Sequence, residues 1–285
     1  MNALSKRPVK LLALDLDGTA LRSNNTLSPT VAAAIEAAAE SGLEIVAASG
    51  RPFRSMPDSV LSLKGVNYVI SSNGAAIHDK TGARIHETLM NEADVLQLLD
   101  ITQDVDLIWE AFTRGETCTD NRYLADPVKF GCSPAYIGYV KSSRSGSDDM
   151  RGFICQNRRV LDSVEYVCPD KTLREAVRAK IEAAARGLYI TSSSANFVEF
   201  MDKNATKSNA LQWLCRYLNI DRAHTAACGN ADNDADMLAF AGRGAAVANA
   251  SALCKAAADL TIPSNDSDGV AIFINKLLSG DTHLR

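Results

Sequence analysis

The same short alternation is written near both ends of the chain, and it narrows the possible folds more than any other feature. Val9 to Leu16 is a continuous apolar run of the kind found in strands covered on both faces. Ser28-Pro29 then offers an N-cap and a first-turn proline to a helix that runs through Ala39 and stops at Gly42. Leu43 to Ala48 is strand-like again, Arg51-Pro52 can open another helix, and Tyr68 to Ser71 is a third apolar run. Strand, helix, strand, helix, strand with short connections predicts a parallel sheet wound with right-handed crossovers. Towards the other end, Lys207 to Leu218 carries Leu211, Leu214, Cys215 and Leu218 on one helical face. A strand at His224 to Cys228, a helix at Asp234 to Ala241 and a strand at Ala245 to Val247 follow.

Between these stretches the pattern changes. Asn91 caps a helix bearing Val95, Leu98 and Leu99, strand-like pieces follow around Leu107 to Thr113 and Phe153 to Cys155, and a long helix spans Asp170 to Gly187. Lys141 to Gly152, with Ser142, Ser143, Ser145, Gly146 and Ser147, has the composition of an exposed loop. The expected architecture is α/β: a doubly wound parallel-sheet core made of residues 1–83 and 202–285, with an inserted α+β domain at 84–201. A length of 285 residues suits two such units.

Charge and composition exclude several classes of function. Thirty basic against 34 acidic residues leave a net charge of -4, with the basic ones scattered singly, so no nucleic-acid partner is expected. No apolar run approaches the length of a membrane span, and no membrane partner is expected. The start, with Lys6, Arg7 and Lys10 ahead of Leu11 to Leu14, lacks the length and cleavage site of a signal peptide, and the expected location is the cytoplasm. Seven cysteines without a C-x-x-C pair read as small buried thiols, and His78, His86, His224 and His283 lack zinc-site spacing.

The chemistry begins where the first strand ends. Asp15-Leu16-Asp17-Gly18-Thr19 sits at the carboxyl end of a strand, where open parallel sheets place ligands. On an extended backbone residues two apart point the same way, so both carboxylates can face one crevice. Four specified positions arise by chance at on the order of 10⁻⁵ per site.

This phrase resembles motif I of the haloacid dehalogenase superfamily. Ser49-Gly50-Arg51 resembles motif II, Lys207 the motif III lysine at the start of a helix, and Gly229-Asn230-Ala231-Asp232-Asn233-Asp234 the Gly-Asp-x-x-Asn-Asp form of motif IV. The large insert between motifs II and III, with Ser72-Asn73-Gly74-Ala75, is similar to the Cof-like hydrolases with a type IIB α/β cap. The resemblance implies a phosphatase acting through an aspartyl phosphate on small phosphorylated metabolites, sugar phosphates first. It makes Asp15 the nucleophile, Asp17 the acid and base, and Ser49 and Lys207 the groups that meet the phosphoryl oxygens. It places substrate contacts at Gly50, Arg51, Asn73, Gly74 and Asn233. Mg²⁺ would be held by Asp15, the Asp17 carbonyl and motif IV through Asn230 and Asp234, as a hard cation prefers oxygen ligands.

Motif IV departs from the pattern, because the acid expected after Gly229 is Asn230. An amide oxygen can bind Mg²⁺ but carries no formal charge, so metal affinity is expected to fall, with Asp232 or Asp234 nearby to assist directly or through water. An EF-hand reading of Asp232, Asp234 and Asp236 fails, with Met237 where glycine is required and Arg243 where the last glutamate belongs. Two other functions stay open: a phospholigand-binding protein weakened at its metal site, and a phosphomutase with the same core chemistry. In the insert, Trp109, Phe112, Tyr123, Tyr136 and Tyr139 read as packing residues. Asn249-Ala250 and Asp268-Gly269-Val270 read as structural.

Overall fold

The computed structural model describes residues 8–192 and 196–280. Lys6 and Arg7 of the leader-peptide reading, and His283, lie outside them. Five strands open the chain: β1 (Leu11–Asp15), β2 (Glu44–Ala48), β3 (Val66–Ser71), β4 (Ala76–Asp79) and β5 (Arg84–Glu87). Six follow in the middle: β6 (Ile108–Thr113), β7 (Glu116–Asp120), β8 (Arg144–Ser147), β9 (Leu161–Val167), β10 (Leu188–Thr191) and β11 (Phe197–Asp202). Three close it: β12 (Thr225–Gly229), β13 (Arg243–Val247) and β14 (Leu260–Ile262).

The larger sheet has the order β14-β13-β12-β1-β2-β3-β4-β5, and the six middle strands form a second sheet, β10-β11-β9-β6-β7-β8. β1 pairs in parallel with β2 on one side and β12 on the other, so the chain winds outward from it both ways. That is the switch point at which such sheets bind ligands. All five residues of β1 are buried, which the uninterrupted apolar run requires. The first helix, Pro29–Glu40, starts where its sequence says: Ser28 Oγ accepts from the Val31 amide at 3.1 Å. The helix Lys207–Tyr217 buries Leu211, Leu214 and Cys215 as its periodicity demands. Among the described residues no helix is long and apolar enough to cross a membrane.

Three readings of the middle region are corrected. Phe153 to Cys155 is part of a helix, Met150–Asn157, whose buried residues Met150 and Ile154 lie one turn apart and whose N-cap, Asp149, accepts from the Gly152 amide. Three apolar residues in a row are too few to separate strand from helix. Lys141 to Gly152 is no loop, since it contains the end of the helix Ile137–Ser143, then β8, then the start of Met150–Asn157. Its serines conceal an edge strand held by Arg144, whose guanidinium reaches Glu110 at 2.7 Å. Arg84–Glu87, placed by sequence at the start of the insert, pairs with β4 at the edge of the larger sheet. From there Arg84 grips the fully buried Asp162 of the second sheet with two hydrogen bonds of 2.7 and 2.9 Å.

The turn after β3, Ser72–Gly74, approaches the start of the helix Lys207–Tyr217 very closely. Gly74 adopts φ +105, and a Cβ there would lie 2.3 Å from the Thr206 carbonyl oxygen and 3.1 Å from the Lys207 amide nitrogen. Only glycine combines that backbone with that contact. Gly74→Ala is expected to lower unfolding free energy by ~1–3 kcal/mol, as strained substitutions of this kind do. Urea denaturation checks it, and an unchanged midpoint would show that the two segments part without cost.

Candidate active site

Lys207 gathers the site. It is the first residue of its helix, 1% exposed, and its Nζ donates to Asp15 Oδ1 at 2.7 Å and Asp234 Oδ1 at 2.6 Å. One ammonium therefore serves two buried carboxylates from the ends of β1 and β12. Burial pushes the Asp15 carboxyl up, Asp234 pushes it further, and Lys207 pulls it back, leaving it at about 7. Burial alone would lower the Lys207 ammonium, but the two acids outweigh it and hold it above its usual range. Asp234 Oδ2 is also occupied, accepting the amides of Asn230 and Ala231 at 2.9 and 3.0 Å. Both oxygens of Asp234 are thus engaged by protein.

The turn after β1 brings motif I against motif IV. Gly18 takes φ +75, and a Cβ there would stand 2.6 Å from Asn230 Nδ2. Thr19 Oγ1 donates to Asn230 Oδ1 at 3.1 Å, and Asn249 Nδ2 donates to the Gly18 carbonyl at 2.8 Å. Asn249 therefore braces the turn, in keeping with its structural reading. Asp232 points elsewhere: it is exposed and accepts from Ser251 Oγ. Asp15 Oδ2 is buried and lacks a hydrogen-bond partner.

Motif II contributes in two ways. Ser49 is buried, and its Oγ accepts from the Arg51 amide at 3.1 Å. Arg51 folds back over Asp17, with Nε donating to Oδ2 at 2.8 Å and Nη2 to Oδ1. Its guanidinium also lies 4.5 Å from the centre of the Tyr139 ring of the inserted region. A second polar chain crosses the same gap. Asn233 Nδ2 donates to Asn73 Oδ1 at 2.8 Å, and Asn73 Nδ2 donates to Glu199 Oε2 on β11 at 2.6 Å. Asn73 adopts φ 55 to do so. Gly50 lies against this amide, since a Cβ there would meet Asn73 Oδ1 at 3.2 Å.

Between the two sheets these contacts border a cleft of about 480 Å³, lined by Asp15, Asp17, Gly50, Arg51, Asn230 and Asn233 on one side. The other side supplies Phe112, Tyr123, Tyr136 and Tyr139, so four of the five aromatic residues read as packing face the cavity. Trp109 alone turns into the core of the inserted region, edge-on to Tyr166 at 5.7 Å. Sequence reasoning also missed Arg144, Glu165 and Glu199 on the same wall. The available signal was an acid set inside an apolar strand, as in Val164-Glu165-Tyr166 and Val198-Glu199-Phe200.

Residues 12–274 match the family of haloacid dehalogenase-like hydrolases. The chain is 30% identical to the phosphatase YwpJ of Bacillus subtilis, over 95% of this chain and 100% of that one. Its fold superposes on a haloacid dehalogenase-like hydrolase from B. subtilis with a TM-score of 0.80 and 28% identity, covering 94% of this chain and 99% of that one. A subclass IIB sugar phosphatase of the same superfamily shares the fold, with a TM-score of 0.78, 18% identity and coverage of 94% and 98%.

Removing the shared cation has a calculable effect. Lys207→Met leaves Asp15 and Asp234 buried together without a counter-charge, a change that costs about 3–5 kcal/mol when a buried pair is broken. Asp15 then holds its proton in the folded state more tightly than in the unfolded chain, so stability falls as pH rises. The deficit is expected to be largest at neutral and alkaline pH and to shrink towards pH 4. Denaturation midpoints of both proteins across that range test it, and a pH-independent deficit would remove the charge explanation.

Proposed function

The chain belongs to the haloacid dehalogenase-like hydrolases and is a phosphatase of their subclass IIB type, and from that premise we propose that it hydrolyses small phosphorylated metabolites, sugar phosphates first, through an aspartyl phosphate. The observation that carries this reading is the buried Asp15, oriented by Lys207 and facing a cleft large enough for a monosaccharide phosphate. The seven cysteines are all free, which suits a reducing compartment.

Asp15 attacks phosphorus in line with the leaving oxygen, and Lys207 fixes the carboxylate through Oδ1 while placing positive charge beside the transferring group. As the phosphorus–oxygen bond breaks, Asp17 gives its proton to the departing alkoxide. Asp17 then takes a proton from the water that attacks the phosphoenzyme, releasing phosphate and restoring Asp15. The Arg51–Asp17 pair must open before Asp17 reaches either oxygen, since both carboxylate oxygens are held by that guanidinium. Ser49 Oγ already accepts from the Arg51 amide, which leaves its own proton for a phosphoryl oxygen. Asn233 shapes the substrate side by lining the cavity, Asn73 by holding Asn233, and Gly74 by letting the helix of Lys207 come close.

Phosphatases of this family generally require Mg²⁺. The residues fit such an ion, because Asp15 Oδ2 is a buried oxygen without a partner and shares the cavity with the Asn230 carboxamide. Asp15, Asn230 and the Asp17 carbonyl would hold it, and when bound it supplies positive charge to the phosphoryl oxygens. Asp234, whose oxygens are both engaged, supports that set from behind by fixing Lys207 and the Asn230–Ala231 turn.

Asp15→Asn removes the attacking group while keeping its shape, and turnover is expected to fall by on the order of 10⁴ or more. A purified variant that keeps a tenth of the wild-type rate overturns the covalent route. Asn230→Asp restores one anionic ligand, and the Mg²⁺ concentration for half-saturation is expected to drop about tenfold, equivalent to ~1.4 kcal/mol. Calorimetric titration with Mg²⁺ reads this without turnover, and equal midpoints would show that the amide is no handicap.

A further inference from the structure

A line of three buried polar side chains runs from the insert to the turn after β12. Asn73 Nδ2 donates to Glu199 Oε2 on β11 at 2.6 Å, and Asn233 Nδ2 donates to Asn73 Oδ1 at 2.8 Å. None of the three residues is more than 4% exposed. The line ends at Asn233 Oδ1, a buried oxygen without a hydrogen-bond partner on a residue that lines the cleft. A buried acceptor of this kind costs free energy until a donor meets it.

The direction of the line follows from its first member. A carboxylate accepts hydrogen bonds and has none to give, whereas an amide has one edge of each kind. Beside Glu199 the Asn73 amide must turn its NH₂ group towards β11, which leaves its oxygen for the next residue. Asn233 must then give its NH₂ group to that oxygen, and its own oxygen is left for the cleft. Reversing either amide would bring two oxygens or two NH₂ groups together at hydrogen-bond distance. The polarity that Asn233 shows to a ligand is therefore decided on β11.

Resting on the phosphatase reading above, we propose that Glu199 is a specificity-determining positioning residue: through Asn73 it fixes the Asn233 amide with its carbonyl towards the leaving alcohol, so that an alcohol with a hydroxyl at that point is selected over one with a keto oxygen. Asn233 immediately precedes Asp234, which shares Lys207 with Asp15. Its free oxygen thus serves the first carbons of the alcohol beyond the phosphoryl group. A hydroxyl there donates to Asn233 Oδ1, whereas a keto oxygen sets acceptor against acceptor and leaves both unmet.

Glycerol 3-phosphate and dihydroxyacetone phosphate differ only in a hydroxyl against a carbonyl at the central carbon, so they separate a donor from an acceptor at one place. Calorimetric binding to the Asp15→Asn chain in Mg²⁺ is expected to favour glycerol 3-phosphate by about tenfold, the scale of one buried acceptor met or left unmet. Adding Glu199→Leu removes the group that sets the line, frees both amides to turn, and should bring the ratio close to one. A merely structural glutamate would weaken both ligands alike and leave the ratio standing. Adding Asn73→Asp as well puts a carboxylate directly against Asn233 and should restore the ratio, which a loss of packing at position 199 does not explain. Neutron diffraction from perdeuterated crystals of the unaltered chain reads the amides without a ligand, and deuterons on Asn233 facing Asn73 and on Asn73 facing Glu199 are expected. Reversed amides overturn the proposal whether or not any variant folds, and so does a ratio of one or below in the Asp15→Asn chain. In folded variants, a ratio that Glu199→Leu leaves unchanged, or that Asn73→Asp fails to restore, overturns it too. Release of phosphate from p-nitrophenyl phosphate by the wild type judges the phosphatase reading separately, because its absence would leave the amide orientation and the binding comparison intact.

Discussion

One buried ammonium between two carboxylates is the interaction on which the rest of the molecule turns. Lys207 touches both Asp15 at the end of β1 and Asp234 after β12, although these residues lie far apart in sequence. The trio is closed to solvent, with side chains no more than 6% exposed, so its two like charges repel at short range in a weakly screening medium. The lysine cannot be displaced without isolating them. It reaches them because its helix begins beside Gly74, where the missing side chain lets Thr206 come within contact of the turn after β3. Asp234 in turn accepts the Asn230 and Ala231 amides, so the same charge that balances Lys207 also sets the turn carrying Asn230. A strand end, a helix start and a loop are thereby fixed by one electrostatic knot.

The inserted region completes the cavity by polar contacts of a different kind. Arg84 reaches from β5 to the buried Asp162, Asn73 reaches to Glu199, and Arg51 stacks on Tyr139. Each begins on the larger sheet or the loop beyond it and ends on the insert. Two of them involve residues that also touch the chemistry, since Arg51 holds Asp17 and Asn73 holds Asn233. The contact with the insert and the placing of the acid therefore share one side chain: the Arg51 guanidinium holds Asp17, Asn25 and the Ser55 carbonyl while lying over the Tyr139 ring.

What the sequence revealed followed period and place. The runs that became β1, β2, β3, β12 and β13 were readable because strands covered on both faces need unbroken apolar residues. Asp15 and Asp17 stood out because they end an apolar strand, whereas Ser49, Lys207 and Asn230 stood out only through their order as motifs resembling those of the haloacid dehalogenase superfamily. β8 was hidden because an edge strand needs few apolar residues, and the helix Met150–Asn157 because its apolar residues are sparse. The acids of the insert were illegible as a group. Glu110, Glu165 and Glu199 are separated by intervening strands and helices, and only the register of β6, β9 and β11 puts them side by side. The pairing of Arg51 with Asp17 was equally invisible, since a sequence shows both residues but not which oxygen a guanidinium meets.

The substitution of Asn230 for an acid acquires a further meaning in this setting. Around the reacting position the protein places Asp15, Asp17 and Asp234 against Lys207 and Arg51. A phosphate monoester brings about two more negative charges into the same low-dielectric space. An aspartate at position 230 would strengthen the hold on a divalent cation, yet it would also stand close to the incoming phosphoryl oxygens. The amide keeps an oxygen and a donor in the same volume, and the donor side is already pressed against Gly18. Its neutral charge exchanges some attraction for the cation for less repulsion of the phosphate.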